Sequence, residues 1–183
     1  DIWSGENSSS PEELTNVNGI LFFVAEDGIN GKELWKSDGT SSGTVLVKII
    51  VTTTNSNIYP RELTDVNGTL FFAADDGTNG EELWKSDGTS SGTVLVKNIY
   101  TGSTSWGAGN SSYPRELMNA NGTLYFSATT SYKGRELYKS DGTSSGTVLV
   151  KDISTGSNSY GAINSSNPGN FNYVNGILIF TAE

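Results

Sequence analysis

The stretch "ELWKSDGTSSGTVLVK", residues 33–48, is the main evidence for the fold of this chain, because the chain contains it more than once. It returns letter for letter at residues 82–97. It returns once more at residues 136–151, with Tyr138 where the other copies have tryptophan. Such close self-similarity predicts one supersecondary unit that is built several times and stacked on itself.

The four prolines of the chain measure the period of this repeat. Pro11, Pro60, Pro114 and Pro168 are separated by 49, 54 and 54 residues. A period near 50 residues is typical of propeller blades rather than of short solenoid coils. The period predicts the end of a preceding blade with a linker at 1–10, blade 1 at 11–50, a linker at 51–59, blade 2 at 60–100, a linker at 101–113, blade 3 at 114–154, a linker at 155–167, and the first two strands of a fourth blade at 168–183.

Each period predicts four short strands joined by tight turns. The first strand, "ELTNV" in the first repeat, ends at Asn18-Gly19, and Asn-Gly is the strongest short-range signal of a hairpin. The second strand is "ILFFVA" and the third is "KELWKSD". The Asp-Gly at the end of the third strand opens a loop into the fourth strand, "TVLVK".

The second strand also indicates how the sheets are arranged. The run "LFFV" at residues 21–24 does not alternate between apolar and polar residues, so both faces of this strand are expected to be covered. A four-stranded sheet that lies between two similar sheets meets this condition, as blades do in a β-propeller. The sequence therefore predicts an all-β, β-propeller-like array of about 3.5 antiparallel blades, either open or closed through another chain or segment. A sandwich of independent sheets is the alternative.

The composition excludes several classes of function. The chain carries a net charge of −9 and has an isoelectric point of about 4.4, so it repels phosphate backbones and we expect no nucleic-acid partner. It contains no cysteine and no histidine, which excludes disulfide bonds, thiolate metal sites and a Ser-His relay. Apolar runs such as "ILFFVA" are too short to cross a bilayer, so we expect no membrane span.

The repeated stretch resembles a known family at "ELWKSDGTSSGT". This signature is similar to that of the ELWxxDGT-repeat proteins, which are large secreted or surface-attached bacterial proteins with tandem copies of it. The resemblance extends over nearly the whole chain through residues 33–44, 82–93 and 136–147. It implies propeller-like repeats and a location outside the cell or on its surface, and it brings no assigned chemistry.

The acidic residues of the repeated stretch have two interpretations. Glu33 and Asp38, with their copies, could form the paired carboxylates of a glycosidase. Such a pair needs one site with two different environments, and three matched copies argue against it. We therefore interpret the aspartates as structural residues whose side chains bond the backbone of the turn, namely Asp38, Asp87 and Asp141. The equivalent aromatic residues could stack on sugar faces, but we interpret them as packing between sheets; they are Trp35, Trp84 and Tyr138.

The loops between the second and third strands are candidates for a metal site. "EDGING" at residues 26–31 and "DDGTNG" at residues 75–80 place oxygen ligands and glycines close together, as Ca²⁺ prefers. The third copy, "TTSYKG", lacks the acids, so any calcium site belongs to the first two repeats. The alternative is a solvated turn. The candidate ligands are Glu26, Asp27, Asn30, Asp75, Asp76 and Asn79.

The connections between consecutive repeats vary most and contain aromatic residues. In an up-and-down blade these connections emerge on the same face as the acidic loops, and recognition usually depends on variable loops held by a rigid scaffold. An aromatic ring flanked by Gly, Ser and Asn can bind a sugar through its apolar face. The alternative is that the rings pack back onto the scaffold. The candidate ligand-binding residues are Tyr59, Trp106, Tyr113 and Tyr160.

Three hypotheses of function follow from these observations. The first is a non-enzymatic extracellular module for surface architecture or adhesion, whose partners are glycans or other surface proteins. The second is a self-associating structural subunit, a homo-oligomer or filament, that pairs through open strand edges. The third is a carboxylate-based glycosidase, which the lack of an unrepeated acid pair disfavours.

Overall fold

The described part of the chain, residues 1–50, 59–104 and 109–183 of a computed structural model, consists of fourteen β-strands and the turns that join them. The strands are β1 (Glu12–Val17), β2 (Ile20–Glu26), β3 (Lys32–Ser37), β4 (Val45–Lys48), β5 (Arg61–Val66), β6 (Thr69–Asp75), β7 (Glu81–Ser86), β8 (Val94–Lys97), β9 (Arg115–Ala120), β10 (Thr123–Thr130), β11 (Gly134–Ser140), β12 (Val148–Lys151), β13 (Gly169–Val174) and β14 (Ile177–Thr181). Within this part of the chain the structure contains no helix that could span a lipid bilayer.

The strands pair in chain order into antiparallel sheets. Sheet 1 contains β1 to β4, sheet 2 contains β5 to β8, and sheet 3 contains β9 to β12. Strands β13 and β14 form a two-stranded terminal hairpin. The prediction of an all-β chain with four antiparallel strands in each complete repeat is confirmed.

Asn-Gly turns set the register of the first two strands of every repeat. Asn18 and Gly19 have φ angles of 52° and 86°, the left-handed pair that a two-residue hairpin turn requires. Val17 and Ile20 face each other directly across this turn. The same geometry recurs at residues 67–68, 121–122 and 175–176.

The first strand of each repeat contains a bulge that the sequence did not indicate. The register between β1 and β2 shifts between Glu12 and Thr15, and Glu13 inside this shift has a φ of 57°. The Glu13 carboxylate accepts a hydrogen bond from Leu63 N in sheet 2, at 3.2 Å. Glu62 makes the equivalent bond to sheet 3. The bulge therefore directs a carboxylate from each sheet to the next one.

The sheets stack face to face, with the first strands of consecutive sheets against each other. In β6, Leu70 and Phe72 belong to the core between sheets 1 and 2, whereas Phe71 belongs to the core between sheets 2 and 3. Residues 70–74 are all buried, which explains why this strand does not alternate. Burying a side chain of this size stabilises the fold by roughly 2 kcal/mol.

The outer members of the stack have exposed apolar side chains. Leu14 on sheet 1 is 63% exposed, and Ile179 on the terminal hairpin is 56% exposed. The terminal hairpin lies beside β9 of sheet 3, and Val150 at the far edge of that sheet is 43% exposed. The described sheets therefore form an open stack rather than a closed ring.

Candidate functional site

The constant motif, defined as residues 33–48, 82–97 and 136–151, ends its third strand in a turn held by its own side chains. Asp38 Oδ1 accepts hydrogen bonds from Thr40 N at 2.9 Å and from Thr40 Oγ1 at 2.7 Å, and these bonds hold the pKa of Asp38 below its usual value. A Cβ on Gly43 would lie 1.9 Å from the same oxygen, so a larger residue there would have to displace the Asp38 side chain from this turn. Asp87 and Asp141 make the same bonds. The three aspartates thus lie where the sequence interpretation expects them.

Two lysines of each of the first two motifs bind the motif of the next sheet. Lys36 Nζ donates to Gly88 O at 2.7 Å, from sheet 1 to sheet 2. Lys48 Nζ donates to Thr93 O at 2.8 Å across the same junction. The junction between sheets 2 and 3 repeats both contacts, at 2.9 Å from Lys85 and 2.7 Å from Lys97. At each of these junctions, the motif of one sheet therefore supplies the lysine donors, and the motif of the next sheet supplies the backbone carbonyl acceptors.

The glutamate of the motif is a buried contact between sheets. The Glu82 carboxylate has no exposed area and accepts hydrogen bonds from Ile99 N at 2.9 Å and from Ser112 N at 3.0 Å. Ser112 Oγ donates a further bond at 2.7 Å. Ile99 follows the last strand of sheet 2, and Ser112 precedes the first strand of sheet 3. Glu82 therefore fastens the end of one sheet to the beginning of the next.

The other two motif glutamates are equally buried. Glu136 accepts hydrogen bonds from Ile153 N at 2.9 Å and from Ser166 N at 3.0 Å, between sheet 3 and the terminal hairpin. Glu33 accepts a bond from Ile50 N at 2.9 Å. Burial raises the pKa of Glu82 to about 7, against hydrogen bonds from Ser112, Ile99 and Tyr100 that lower it.

These positions do not form the paired carboxylates of a glycosidase within a repeat. Glu33 is fully buried within β3, whereas Asp38 is exposed in the turn that follows this strand. Retaining and inverting glycosidases need roughly 5–10 Å between the two groups. The buried glutamates are also closed to solvent.

Two of the three motif aromatics pack between sheets, whereas Trp35 is half-buried and belongs to neither core found among the described residues. Trp84 is 6% exposed and lies in the core between sheets 1 and 2. Tyr138 lies in the core between sheets 2 and 3, with its ring centroid 5.8 Å from that of Phe126. The indole nitrogens of Trp35 and Trp84 are buried and meet no acceptor in the described part of the chain.

The acidic loops are closed by hydrogen bonds to their own amides. Asp27 Oδ1 accepts from Ile29 N at 2.9 Å and from Asn30 N at 2.8 Å, and Asn30 Nδ2 donates to Asp27 Oδ2 at 2.7 Å. Although burial opposes it, these bonds lower the pKa of Asp27. Asp76 is bonded in the same way to Asn79, at 2.8 Å.

The calcium prediction stays a prediction. Burial and the nearby Asp76 and Glu81 carboxylates raise the pKa of Asp75. Glu26 ends β2 in sheet 1 at the position that Asp75 takes in sheet 2. Among the described residues, no group of three or more acidic side chains is arranged to hold a metal ion.

The acidic loops and the variable connections lie on one face of the stack, which we call the variable rim: residues 26–31, 75–80 and 129–134 with the described parts of the connections 1–10, 59, 100–113 and 154–167. A Cβ on Gly80 would lie 2.3 Å from Asn110 O, and one on Gly134 would lie 2.0 Å from Asn164 O. Each loop therefore packs directly against the neighbouring connection, as the up-and-down arrangement predicts.

The four predicted ligand-binding residues have different surroundings. The Tyr59 ring lies 4.7 Å from Lys32 Nζ and 4.8 Å from Arg61 Cζ, so it packs against the scaffold. Tyr113 is 48% exposed, with Arg115 Cζ 5.8 Å from its ring. Tyr160 is 94% exposed. Trp106 lies outside the described residues.

Tyr160 is exposed on a loop that is itself well bonded. Asn158 Oδ1 accepts hydrogen bonds from Tyr160 N at 2.9 Å and from Ala162 N at 3.1 Å. Asn158 N donates to Ala162 O at 2.8 Å, and an antiparallel bridge joins Ser157 to Ile163. Hydrogen bonds within the loop therefore fix the backbone that carries the exposed ring.

The sequence interpretation missed Tyr132 on the rim. Tyr132 is 83% exposed in the turn between β10 and β11. It is the aromatic residue of "TTSYKG", where the first two repeats have acidic loops. The presence of a tyrosine in this loop, where the other repeats have acidic residues, is the sequence signal that could have identified Tyr132.

The constant motif thus forms turns and contacts between sheets, while exposed rings stand on the variable rim. Comparison of the chain with models of protein families, with curated proteins and with solved structures finds no match.

Proposed function

We propose that this chain is a non-enzymatic extracellular or cell-surface module for surface architecture or adhesion, and that its variable rim binds glycans. The observation that carries this proposal is Tyr160, which is 94% exposed on a hydrogen-bonded loop. A loop backbone that is already fixed by hydrogen bonds loses less entropy when a ligand binds to the side chain it carries. Nearby Asn and Ser side chains supply the polar groups that sugar hydroxyls need.

In this proposal the three sheets and the terminal hairpin are blades of a propeller-like array. The support is the identity of the junctions, because sheets 1 and 2 meet through the same lysine-to-carbonyl bonds as sheets 2 and 3. The first strands of all four units also lie side by side, as the innermost strands of blades do.

The experiment is a glycan array that is probed with the wild-type chain and with Tyr160→Ala, in the presence and absence of calcium. We expect the variant to bind a confirmed glycan roughly tenfold more weakly, the loss of about one stacking contact. Its melting temperature should not change, because the ring is almost fully exposed. Normal binding by the variant would refute the assignment of the rim. Trp106→Ala tests the matching position of the preceding connection.

A second candidate, self-association, is favoured by the two outer faces of the stack. Lys139 and Lys151 occupy the positions at which Lys85 and Lys97 donate across a junction, and they meet no acceptor in the described residues. The motif of sheet 1 presents the complementary carbonyl groups. Light scattering over a range of concentrations tests this candidate. A monomer at every concentration would remove it.

A further inference from the structure

The outer face of sheet 3, which is the face turned away from sheet 2, is covered over only one half. Its first-strand half lies against the terminal hairpin, where Glu116 Oε2 accepts a hydrogen bond from Asn170 N at 3.2 Å. This bond repeats the bulge contact that Glu13 and Glu62 make at the other two junctions. Glu136 also binds the connection that precedes the hairpin, as the motif glutamate of sheet 2 does at its own junction. The hairpin is therefore joined to sheet 3 in the same way as the sheets are joined to each other.

The half of this face that β11 and β12 form is exposed. Val47 and Val96 are both 6% exposed in the cores of the first two junctions, whereas the equivalent Val150 is 43% exposed. Lys139 and Lys151 are also exposed, and among the residues that the structure describes they meet no acceptor. Their equivalents at the first two junctions are half-buried and donate to carbonyl groups of the next motif. This half of the face therefore has the contact groups of a junction but no described sheet against it.

The junction between sheets 1 and 2 shows which groups cover such a surface. Trp84 of β7 lies in the same core as Val47, and Lys48 Nζ lies 6.0 Å from the centre of the Trp84 ring. The turn after β7 passes close over sheet 1, because a Cβ on Gly88 would lie 3.1 Å from the ring of Phe22. The tryptophan, the turn glycine and the carbonyl acceptors all belong to the third and fourth strands of sheet 2 and the loop between them. One β-hairpin of the constant motif therefore supplies every one of these contacts.

The terminal hairpin has a strand edge to which such a β-hairpin could be added. β14 pairs with β13, and no other described strand pairs with it. In sheet 1 the equivalent strand also pairs with the third strand, which places Phe23 opposite Trp35. An unpaired edge presents backbone N–H and C=O groups that an added strand can bond. A third strand on β14 would bring its turn to Lys139, as β7 brings its turn to Lys36. The edge and the exposed half of the face therefore fit the same two strands.

We propose that this surface binds a β-hairpin with the sequence of the constant motif, supplied by a separate polypeptide, as the third and fourth strands beside the terminal hairpin. Lys139 and Lys151 donate to carbonyl groups of its loop, and Val150 packs beside its tryptophan. The motif brings its own turn, because Asp38 and its copies bond within that turn. This partner differs from a complete second copy, since a four-stranded sheet would compete with β13 and β14 for the covered half. The inference goes beyond the proposed function, because the variable rim takes no part in it.

The test uses the synthetic peptide "ELWKSDGTSSGTVLVK" with a fluorescent label, titrated with the full chain and followed by fluorescence anisotropy. A scrambled peptide of the same composition should not bind. Val150→Asp places a charge in the apolar contact and should weaken binding of the motif peptide roughly tenfold. Lys139→Met removes one donor and keeps its aliphatic stem, so it should weaken binding several-fold. Lys133→Met is the matched control, because it removes a lysine of the same sheet that pairs with Asp152 at 2.9 Å, and it should leave binding unchanged.

Hydrogen exchange adds a readout that is specific to strand addition. Binding of the motif peptide should slow the exchange of backbone amides in β14 and leave that of β4, an edge strand of sheet 1, unchanged. The melting temperatures of the unbound variants should match that of the wild type, because both substituted side chains are exposed.

Each further outcome overturns the inference or separates it from the proposed function. No binding of the motif peptide, equal binding of the scrambled peptide, or normal binding by Val150→Asp overturns it. Dimerisation of the chain that the motif peptide blocks would make a second copy the occupant, and so overturn the assignment to a separate polypeptide. Tyr160→Ala should bind the peptide normally. Loss of peptide binding therefore leaves the glycan proposal standing, and loss of glycan binding leaves this inference standing.

Discussion

Glu82 makes the stability of this chain depend on pH, and the sign of this dependence is opposite to that of an ordinary paired carboxylate. Burial raises the pKa of Glu82 to about 7 from 4.5 in the unfolded chain. The folded state therefore binds a proton more tightly than the unfolded state does. The stabilisation from this proton is fully present below the unfolded value of 4.5 and is lost as the pH rises through about 7.

The difference between the two pKa values sets the magnitude. At about 1.4 kcal/mol for each pH unit, a pKa of about 7 against 4.5 corresponds to about 3 kcal/mol. Between about pH 8 and about pH 5, the contribution of Glu82 to the free energy of unfolding should rise by about 2.5 kcal/mol. Other titrating groups contribute as well, so the effect has to be isolated by comparison with a variant.

The variant is Glu82→Gln, which keeps the shape and cannot titrate. It also replaces one of the two oxygens that accept from Ile99 N and Ser112 N by an NH2 group, so we expect it to be less stable than the wild type at every pH. The gap between the two proteins, measured by urea unfolding, should be about 2.5 kcal/mol wider near pH 5 than near pH 8. Glu6→Gln, which removes an exposed carboxylate, is the control. A gap that stays constant with pH would refute the reasoning.

Three further predictions concern the motif and the acidic loops. Gly92→Ala should lower the free energy of unfolding by about 2 kcal/mol or more, because its Cβ would lie 2.1 Å from Asp87 Oδ1. In urea unfolding, the loss should be smaller when Asp87→Ala is also present, and an equal loss in both backgrounds would contradict the prediction. Lys85→Met should cost about 1–2 kcal/mol more than Lys139→Met, because Lys85 donates to the next sheet at 2.9 Å; equal losses in urea unfolding would contradict this. If the acidic loops bind calcium, adding calcium should raise the melting temperature of the wild type and not that of Asp76→Ala. A wild-type melting temperature that does not change with calcium would contradict the calcium prediction.

Local signals in the sequence were sufficient for the strands and their order. Asn-Gly at 18–19 dictates a two-residue hairpin, and the unbroken apolar run at 70–74 requires cover on both faces. The bulge at Glu13 could not be read in this way. Glutamate is not typical of the left-handed region, and the bond that offsets its cost is made by Leu63 of the next sheet. The reason for the bulge therefore exists only after the sheets have stacked.

The same difference between local contacts and contacts with another sheet explains which site residues could be predicted from the sequence. Asp38 bonds to a residue two positions away, so turn chemistry was enough to assign it. Glu82 bonds to Ser112, and Lys36 bonds to Gly88 in the next repeat. From sequence alone, such residues are typical of a solvated strand face, because their partners are supplied by a different sheet.

The constant positions of the repeat hold the sheets together, and this role supports the proposal that ligands bind at the variable positions. In the motif of sheet 2, Glu82 and Lys85 make contacts with a neighbouring sheet, and Ser86 and Thr93 bond each other at 2.8 Å. A residue that holds a junction together cannot also release its hydrogen bonds to a ligand without loosening the stack. Ligand contacts in such an array must therefore fall on positions where the repeats differ. Tyr160 is at a position of this kind, and a ligand that stacks on its exposed ring would break no contact between sheets.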